Sequence, residues 1–194
     1  MTGSGYFDKN VGDCMTRTML PSAEKGIYLQ QGDRNCIACA MAHALVYYKN
    51  NGYSDICSVT SQSSFNTLVD KMQDYLNAAG GYANNNIAAA FLKYCMYELN
   101  LKGINYIVTA DGTWNPQYSQ VSGAIAAGKP VMVGFAAGSD YSKEYGHMTL
   151  CVGAATLAPK ESYLNLIDGH SGSIVTKLWN SSINDYINVI SVSK

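Results

Sequence analysis

The sequence predicts an α+β protein in which a helical half precedes a half made of antiparallel strands. Two observations support this prediction. Apolar residues recur at helical spacing in several segments up to residue 127, and short apolar segments with strand periodicity follow from Val131 onward. Helices and strands that segregate along the chain are typical of α+β folds. We therefore expect a helical lobe packed against an antiparallel sheet.

Four segments are predicted to be helical. The first begins at Cys36, where a polar run gives way to apolar residues, and it ends at Lys49-Asn50-Asn51-Gly52, a sequence typical of helix C-termini. Asn residues are available to cap the third helix. The predicted helices cover residues 36–48, 64–76, 86–99 and 119–127.

Strands are predicted mainly in the second half, where a Gly/Pro turn leads into Val131. The predicted strands cover residues 104–109, 131–136, 147–155, 162–168, 173–179 and 187–193. Residues 1–27 show no clear periodicity, and we interpret them as an N-terminal extension over the core or the remnant of a pro-segment. Residues 28–194 are expected to form one domain, because no repeat or linker divides them.

The composition excludes several kinds of partner. The 194 residues carry a net charge of −1, only 14% are charged, and neither sign clusters. Nucleic acid and anionic membranes are therefore not expected as main partners, because both are bound through concentrated positive charge. No apolar run approaches membrane-spanning length, so no membrane insertion is expected. The oligomeric state does not follow from these features.

Cys36 stands at the junction between a turn-prone run and the first predicted helix. A thiol in the first helical turn faces unpaired backbone N–H groups and the positive end of the dipole. Both favour the thiolate, so we expect a lowered thiol pKa and a nucleophilic sulfur. Gln30, six positions upstream, could stabilise an oxyanion together with the Cys36 backbone N–H. Asn35 is expected to cap the helix.

The second half supplies a candidate base and a candidate orienting group. His147 follows Gly146 at the head of one predicted strand, and Asp168 ends the next. Adjacent antiparallel strands would bring the two together as part of a nucleophile–base–orienter triad. The imidazolium of this triad is expected to have a pKa above the ordinary value. Asn165 is the fallback orienter, although strand alternation puts it on the opposite face.

Two other histidines are weaker candidates for the base. His43 lies two turns along the Cys36 helix, about 10 Å from the thiol at about 1.5 Å per residue, so we interpret it as a core histidine. His170 follows Asp168 by two positions and is expected at the rim of a cleft. Tyr145 and Trp114 are further candidates for lining that cleft.

The order Gln30, Cys36, His147 and Asp168, with a Gly-Lys-Pro-Val entry before the Gly-His strand, resembles papain-like cysteine peptidases. The sequences around these residues are most similar to those of the compact bacterial branch of the family, which includes bacteriocin-leader-processing peptidases and staphopain-like secreted proteases. Three features depart from papain: Ile37 replaces an aromatic residue, Asp168 replaces Asn, and no Asn-Ser-Trp string follows.

The resemblance spans about residues 28 to 179 and implies a papain-like α+β fold with its active site between the two lobes. It implies a cysteine peptidase that hydrolyses peptide or protein substrates through an acyl-enzyme and needs no cofactor or metal. The helical lobe would present Cys36, and the sheet lobe would present the base and its orienter. Five residues separate glutamine from cysteine in the papain-like motif, which selects Gln30 over Gln31.

Three alternatives stay open. The same triad could serve another acyl transfer, as in a transglutaminase or a cell-wall peptide amidase, because the triad does not encode the acceptor. A catalytically inactive binding module would keep only the fold. Cys36 and Cys39 also form a C-x-x-C pair that shares a helix face with His43, as in a redox site, or in a zinc site completed by Cys57 or Cys95.

The compartment is inferred only from composition. Low charge and an abundance of Tyr, Asn, Ser and Gly favour a secreted or cell-surface bacterial protein, and a cytoplasmic location stays open. No basic and apolar signal peptide opens the chain, which says little about the native compartment. Six cysteines allow disulfides in an oxidising compartment, for example Cys14–Cys57.

Overall fold

The computed structural model describes residues 14–30, 35–81, 83, 86–137, 146–157, 161–179 and 184–194. Within these ranges the chain forms four α-helices and a sheet of seven strands. The helices are α1 (Cys36–Asn50), α2 (Gln62–Ala78), α3 (Asn86–Tyr94) and α4 (Tyr118–Ala126). The strands are β1 (Cys14–Met19), β2 (Ile107–Trp114), β3 (Val131–Phe135), β4 (His147–Leu157), β5 (Glu161–Ile167), β6 (Val175–Leu178) and β7 (Asn184–Ser193). The predicted α+β class is confirmed.

The sheet is antiparallel and has the strand order β2-β7-β3-β4-β5-β6, with β1 added beside β4. The long strand β4 organises this arrangement, because two strands share one of its edges. β3 pairs with residues 147–151 of β4, and β1 pairs with residues 153–157. The last strand, β7, lies between β2 and β3.

Helix α1 is the central element of the core. Every side chain from Ile37 to Tyr48 is buried, and the helix packs against both α2 and β4. A run of alanines and other apolar residues fits this position, because a helix that is apolar all round is stable only when it is surrounded. Asn35 occupies the N-cap position, but its side chain makes no cap hydrogen bond, contrary to our expectation.

The other helices complete the helical lobe. Ser61 and Ser64 form a reciprocal capping box at the start of α2. The third predicted helix has the expected bounds, but its last five residues, Cys95–Leu99, form a π-helical turn after α3. Glu98 of that turn accepts hydrogen bonds from Lys71 and from the Tyr75 hydroxyl, which ties the turn to α2.

Residues 14–27 belong to the same fold as the rest of the described chain. β1 has no predicted counterpart, because its Thr- and Met-containing sequence shows no clear alternation. The backbone N–H of Leu20 continues the pairing to the Val152 carbonyl at 2.8 Å, and Leu20 and Ala23 are buried in the main core. Residues 14–23 therefore contribute to the sheet and the core. Within the described ranges, no helix combines the length and apolarity needed to cross a bilayer.

Candidate active site

The start of α1 and the start of β4 meet at a cleft with a volume of about 280 Å³. We call this the β4 cleft. Helix α1 contributes Cys36 and Ile37, and the end of β3 contributes residues 134–137. β4 and the residue before it contribute residues 146–148, and β7 contributes Asp185 and Tyr186. The predicted nucleophile and the predicted base thus line the same cavity, although 110 residues separate them in the sequence.

The thiol of Cys36 is half-buried at the first position of α1. Burial raises its pKa, and the backbone N–H groups of Met148, Ile37 and Cys36 itself act in the opposite direction without reversing the shift. Our expectation of a lowered thiol pKa is therefore wrong. The helix N-terminus does favour the thiolate, but loss of hydration costs the thiolate more. The Met148 contact also joins the sulfur directly to the strand that carries His147.

The imidazole of His147 is held by a main-chain group. Its Nε2 lies 3.0 Å from the backbone carbonyl oxygen of Asp168, and only 7% of the residue is exposed. A carbonyl can only accept a hydrogen bond, so Nε2 carries the proton. The neutral ring therefore has its lone pair on Nδ1, which makes Nδ1 the basic nitrogen.

Asp168 contacts His147 through its backbone, which corrects the expected role of its carboxylate. Oδ1 accepts hydrogen bonds from the N–H groups of His170 and Ser171, both at 3.0 Å, and from the Ser171 hydroxyl at 3.2 Å. The short aspartate side chain is thus engaged by its own turn, as is common for Asp at strand ends. Its charge still favours the His147 imidazolium from a distance. The fallback orienter Asn165 is buried and donates to Thr176 at 2.9 Å on β6.

A second imidazole covers the first. The ring of His170, which is exposed, stacks on His147 with centroids 4.7 Å apart and an angle of 21° between the planes. Burial lowers the pKa of His147, and the charge of His170 lowers it further, against the Asp168 carbonyl and carboxylate. The expectation of a raised pKa at His147 is therefore wrong, because burial again outweighs the partner groups.

Gln30 is attached to the turn that follows Asp168. Its N–H donates to the Gly169 carbonyl at 2.7 Å. Gly169 has a φ of +76°, and a Cβ there would lie 3.1 Å from Cβ of Gln30 and 3.3 Å from Sγ of Cys39. A side chain at this position would be strained by the positive φ and would crowd both neighbours, so glycine is favoured. Gln30 is not among the described residues that line the β4 cleft, so its oxyanion role stays a prediction, and Gln31 lies outside the described residues.

His43 and Cys39 form a buried pair below the site. The His43 Nδ1 lies 3.0 Å from the Cys39 carbonyl oxygen and 3.6 Å from its sulfur, and Nε2 accepts from the Tyr28 N–H at 3.2 Å. Burial lowers the pKa of His43 to about 4 and raises the pKa of Cys39 to about 12. Both ring nitrogens of His43 are engaged by the backbone, which agrees with its interpretation as a core histidine.

The five cysteines whose side chains are described are free thiols. Cys57 is one of them, so the suggested Cys14–Cys57 bridge is wrong. Within the described part of the chain, no cluster of three or more His, Cys, Asp or Glu side chains is arranged to hold a metal ion.

β7 contributes to the cleft, although no sequence pattern predicted it. Asp185 and Tyr186 line the cleft, and the exposed ring of Trp114 packs on Tyr186 with centroids 4.7 Å apart. Trp114 was a candidate for lining the cleft because it is aromatic, but no sequence pattern around Asp185 indicated a functional residue. Tyr145 lies outside the described residues.

No protein-family model matches the sequence. No curated protein matches it either. Among solved structures, the crystal structure of a proposed C39-like peptidase from Bacillus anthracis is similar, with a TM-score of 0.52 and 15% sequence identity. The match covers 92% of this chain and 100% of that chain. At this identity the similarity establishes a common fold, in which a helical part packs on an antiparallel sheet.

Proposed function

We propose that this protein is a cysteine peptidase that hydrolyses peptide bonds through an acyl-enzyme on Cys36. The observation that carries the proposal is the meeting of a helix-start thiol and a strand-start imidazole in one cleft. The imidazole is fixed by the Asp168 carbonyl, which leaves Nδ1 as the base. The fold shared with a proposed C39-like peptidase is a second line of support.

The pKa directions favour a resting state in which both groups are neutral. His147 Nδ1 then accepts the thiol proton as the Cys36 sulfur attacks the substrate carbonyl carbon and the carbonyl electrons move to oxygen. The resulting imidazolium gives this proton to the leaving amine as the tetrahedral intermediate collapses. In the second half, His147 takes a proton from water as the water oxygen attacks the thioester carbon. Collapse of this second tetrahedral intermediate breaks the C–S bond and releases the carboxylic acid, and the imidazolium returns its proton to the sulfur to restore the thiol.

The developing oxyanion needs hydrogen-bond donors close to the sulfur. The backbone N–H of Cys36, at the N-terminus of α1, is one candidate, and the side-chain amide of Gln30 is the other. We expect Gln30→Ala to lower kcat by about 10²–10³-fold, the usual loss for one oxyanion donor. A Gln31→Ala variant with the larger loss would transfer the role to that residue.

The proposal is tested by mass spectrometry of peptide libraries incubated with the protein. New termini should form with the native chain, and Cys36→Ala and His147→Ala should each abolish them. Cys57→Ala removes a buried thiol that does not line the β4 cleft, so it is the matched control and should retain turnover. Ammonia release without new termini would instead indicate an amidase or transglutaminase.

Alkylation gives an independent test, although selectivity alone is not enough. The other cysteines with described side chains are buried, so iodoacetamide should reach Cys36 first whatever its chemistry. The informative measurement is the labelling rate of Cys36 as a function of pH with and without His147. A rate that His147→Ala leaves unchanged would argue against thiol activation by this histidine.

A further inference from the structure

We propose that Asp185 makes the β4 cleft selective for peptides with a cationic side chain, arginine or lysine, next to the scissile bond. This proposal rests on the proposed peptidase function and names its substrate class.

The sheet is irregular where β7 passes the cleft. β7 pairs with β3 so that Tyr186 lies opposite Gly134, yet Asn184 lies opposite Phe135. Asp185 is therefore an extra residue on β7, which is a β-bulge. Successive residues of a regular strand point to opposite faces, but Asp185 and Tyr186 both line the cleft. Bulges are frequent beside active sites, where they redirect a side chain.

Asp185 also places a negative charge in the cleft. Asp185 is exposed, and among the described residues of the cleft it is the one carboxylate. The ion pairs found in the described part of the chain join Glu98 to Lys71 and Lys102, on the helical lobe. None involves Asp185. The carboxylate is thus available to a ligand that enters the cleft.

The wall beside this carboxylate has a shape that suits a long side chain. Trp114, Tyr186, Gly134 and Met148 form one row across four neighbouring strands, and Met148 contacts the Cys36 sulfur through its N–H. Gly134 leaves the middle of the row without a side chain, and the aromatic pair stands beyond it. An arginine or lysine side chain fits such a wall, because its methylene stem packs on apolar groups and its charged end is attracted by the carboxylate and by the exposed ring of Trp114.

The test uses pairs of internally quenched peptides. The two members of a pair differ at one residue, which is arginine in one peptide and the isosteric, uncharged citrulline in the other. This residue is placed in turn at each of the two positions on either side of the cleaved bond. At one position we expect kcat/KM for arginine to exceed that for citrulline by about tenfold, between the values for exposed and desolvated ion pairs. Asp185→Asn should bring the ratio close to one, and Asp185→Glu should largely retain it. Asp111→Asn, which removes an exposed carboxylate on β2 outside the cleft, is the matched control and should keep the native ratio.

A second arm separates this proposal from the peptidase proposal. Binding of the same peptides to Cys36→Ala, and to Cys36→Ala with Asp185→Asn, is measured by fluorescence anisotropy, which needs no turnover. A preference for arginine that Asp185→Asn removes, without hydrolysis by the native chain, would support cation selectivity and overturn the peptidase. Hydrolysis with equal rates for both peptides, or with a preference that Asp185→Asn leaves intact, would overturn the role of Asp185 alone. Failure of both peptides to bind or to be cleaved would overturn both proposals.

Discussion

At the Cys36 thiol, burial and backbone hydrogen bonds act in opposite directions, and burial prevails. The same is true of the His147 imidazole. These directions favour a neutral thiol and a neutral imidazole in the free protein, and in the proposed reaction the sulfur becomes charged only when its proton moves. This differs from a resting thiolate–imidazolium pair, and the difference is measurable.

We expect thiolate absorbance near 240 nm, taken as the difference between the native chain and Cys36→Ala, to be negligible at neutral pH. It should rise only above the pH at which an ordinary cysteine ionises, because the pKa of Cys36 is raised. The acid limb of kcat/KM should lie below the ordinary histidine pKa, because protonation of His147 is disfavoured. A thiolate signal that persists to pH 6 would show that the resting pair is ionic.

Asp168→Asn distinguishes orientation by a carbonyl from orientation by a carboxylate. Asparagine keeps the main-chain acceptor of His147, and its side-chain oxygen can accept the same turn hydrogen bonds. We expect kcat/KM to stay within about tenfold of the native value, in contrast to the loss of about 10⁴-fold where a carboxylate orients the base. The acid limb should move to lower pH, because the attraction of the carboxylate for the imidazolium is lost.

Asp168→Ala is the companion variant and should lose more activity, because it removes the turn hydrogen bonds as well as the charge. Equal, severe losses in Asp168→Asn and Asp168→Ala would restore the carboxylate to the role of orienter.

At the scale of elements, His43 joins α1 to the segment between β1 and α1 that contains Tyr28 and Gln30. The neutral ring of His43 donates to the Cys39 carbonyl and accepts from the backbone N–H of Tyr28. The ring of Phe65 on α2 packs against the rings of His43 and Tyr28, with centroid distances of 4.5 Å and 4.8 Å. The segment that leads to Gln30 is thereby attached to the helix that carries Cys36. Protonation of His43 would remove the acceptor for Tyr28, so this attachment depends on pH.

The pKa of His43 falls from an ordinary 6.5 to about 4 on folding. The unfolded chain binds the proton first as pH decreases, so the contribution of His43 to stability is complete above pH 6.5 and is lost between about 6.5 and 4. The loss amounts to about 3 kcal/mol at about 1.4 kcal/mol per pH unit. Urea unfolding of the native chain at several pH values should show the free energy of unfolding decreasing in this way as the pH falls. We call the change in this free energy per pH unit the slope.

His43→Gln should reduce the slope by the amount that corresponds to uptake of about one proton on unfolding, because glutamine can donate and accept hydrogen bonds without titrating. His147 also contributes in the same direction, so part of the slope should remain. His170→Gln removes an exposed ring whose charge acts on His147, so it should leave the part of the slope that is due to His43 unchanged. If the free energy of unfolding depended on pH equally in the native chain and in His43→Gln, His43 would not couple folding to pH.

At the scale of the whole molecule, β1 and the residues after it complete the sheet and the core. Removing residues 1–27 would expose the edge of β4 at residues 153–157 and open the core at Leu20 and Ala23. Unpaired strand edges promote association between chains. We expect the shortened chain to have a lower free energy of unfolding and to form oligomers, as measured by urea titration and size-exclusion chromatography.

Leu20→Ala tests the core contribution without removing the strand. The residue is 3% exposed, and truncation of a buried leucine usually costs about 2–5 kcal/mol. An effect below about 1 kcal/mol, together with a monomeric and equally stable shortened chain, would show that this segment is dispensable.

The sequence predicts the helices, most strands and the meeting of Cys36 with His147, because each of these depends on local periodicity or on strand adjacency. It does not predict the π turn at Cys95, since an additional residue in a helical turn leaves the apolar pattern unchanged. It also fails at Asp168, where the choice between carbonyl and carboxylate depends on the turn at Gly169. The pKa directions were missed for a related reason, because the degree of burial is a property of the assembled fold.

The position of β7 has a consequence for the order of events during synthesis. This strand is made last, yet it lies between β2 and β3 and supplies Asp185 and Tyr186 to the cleft. A chain still being translated can already contain Cys36, His147 and Asp168, but β3 and β2 cannot be joined before residues 184–193 have been made. The wall of the cleft is therefore completed only after residues 184–193 have been made, so its assembly waits for β7.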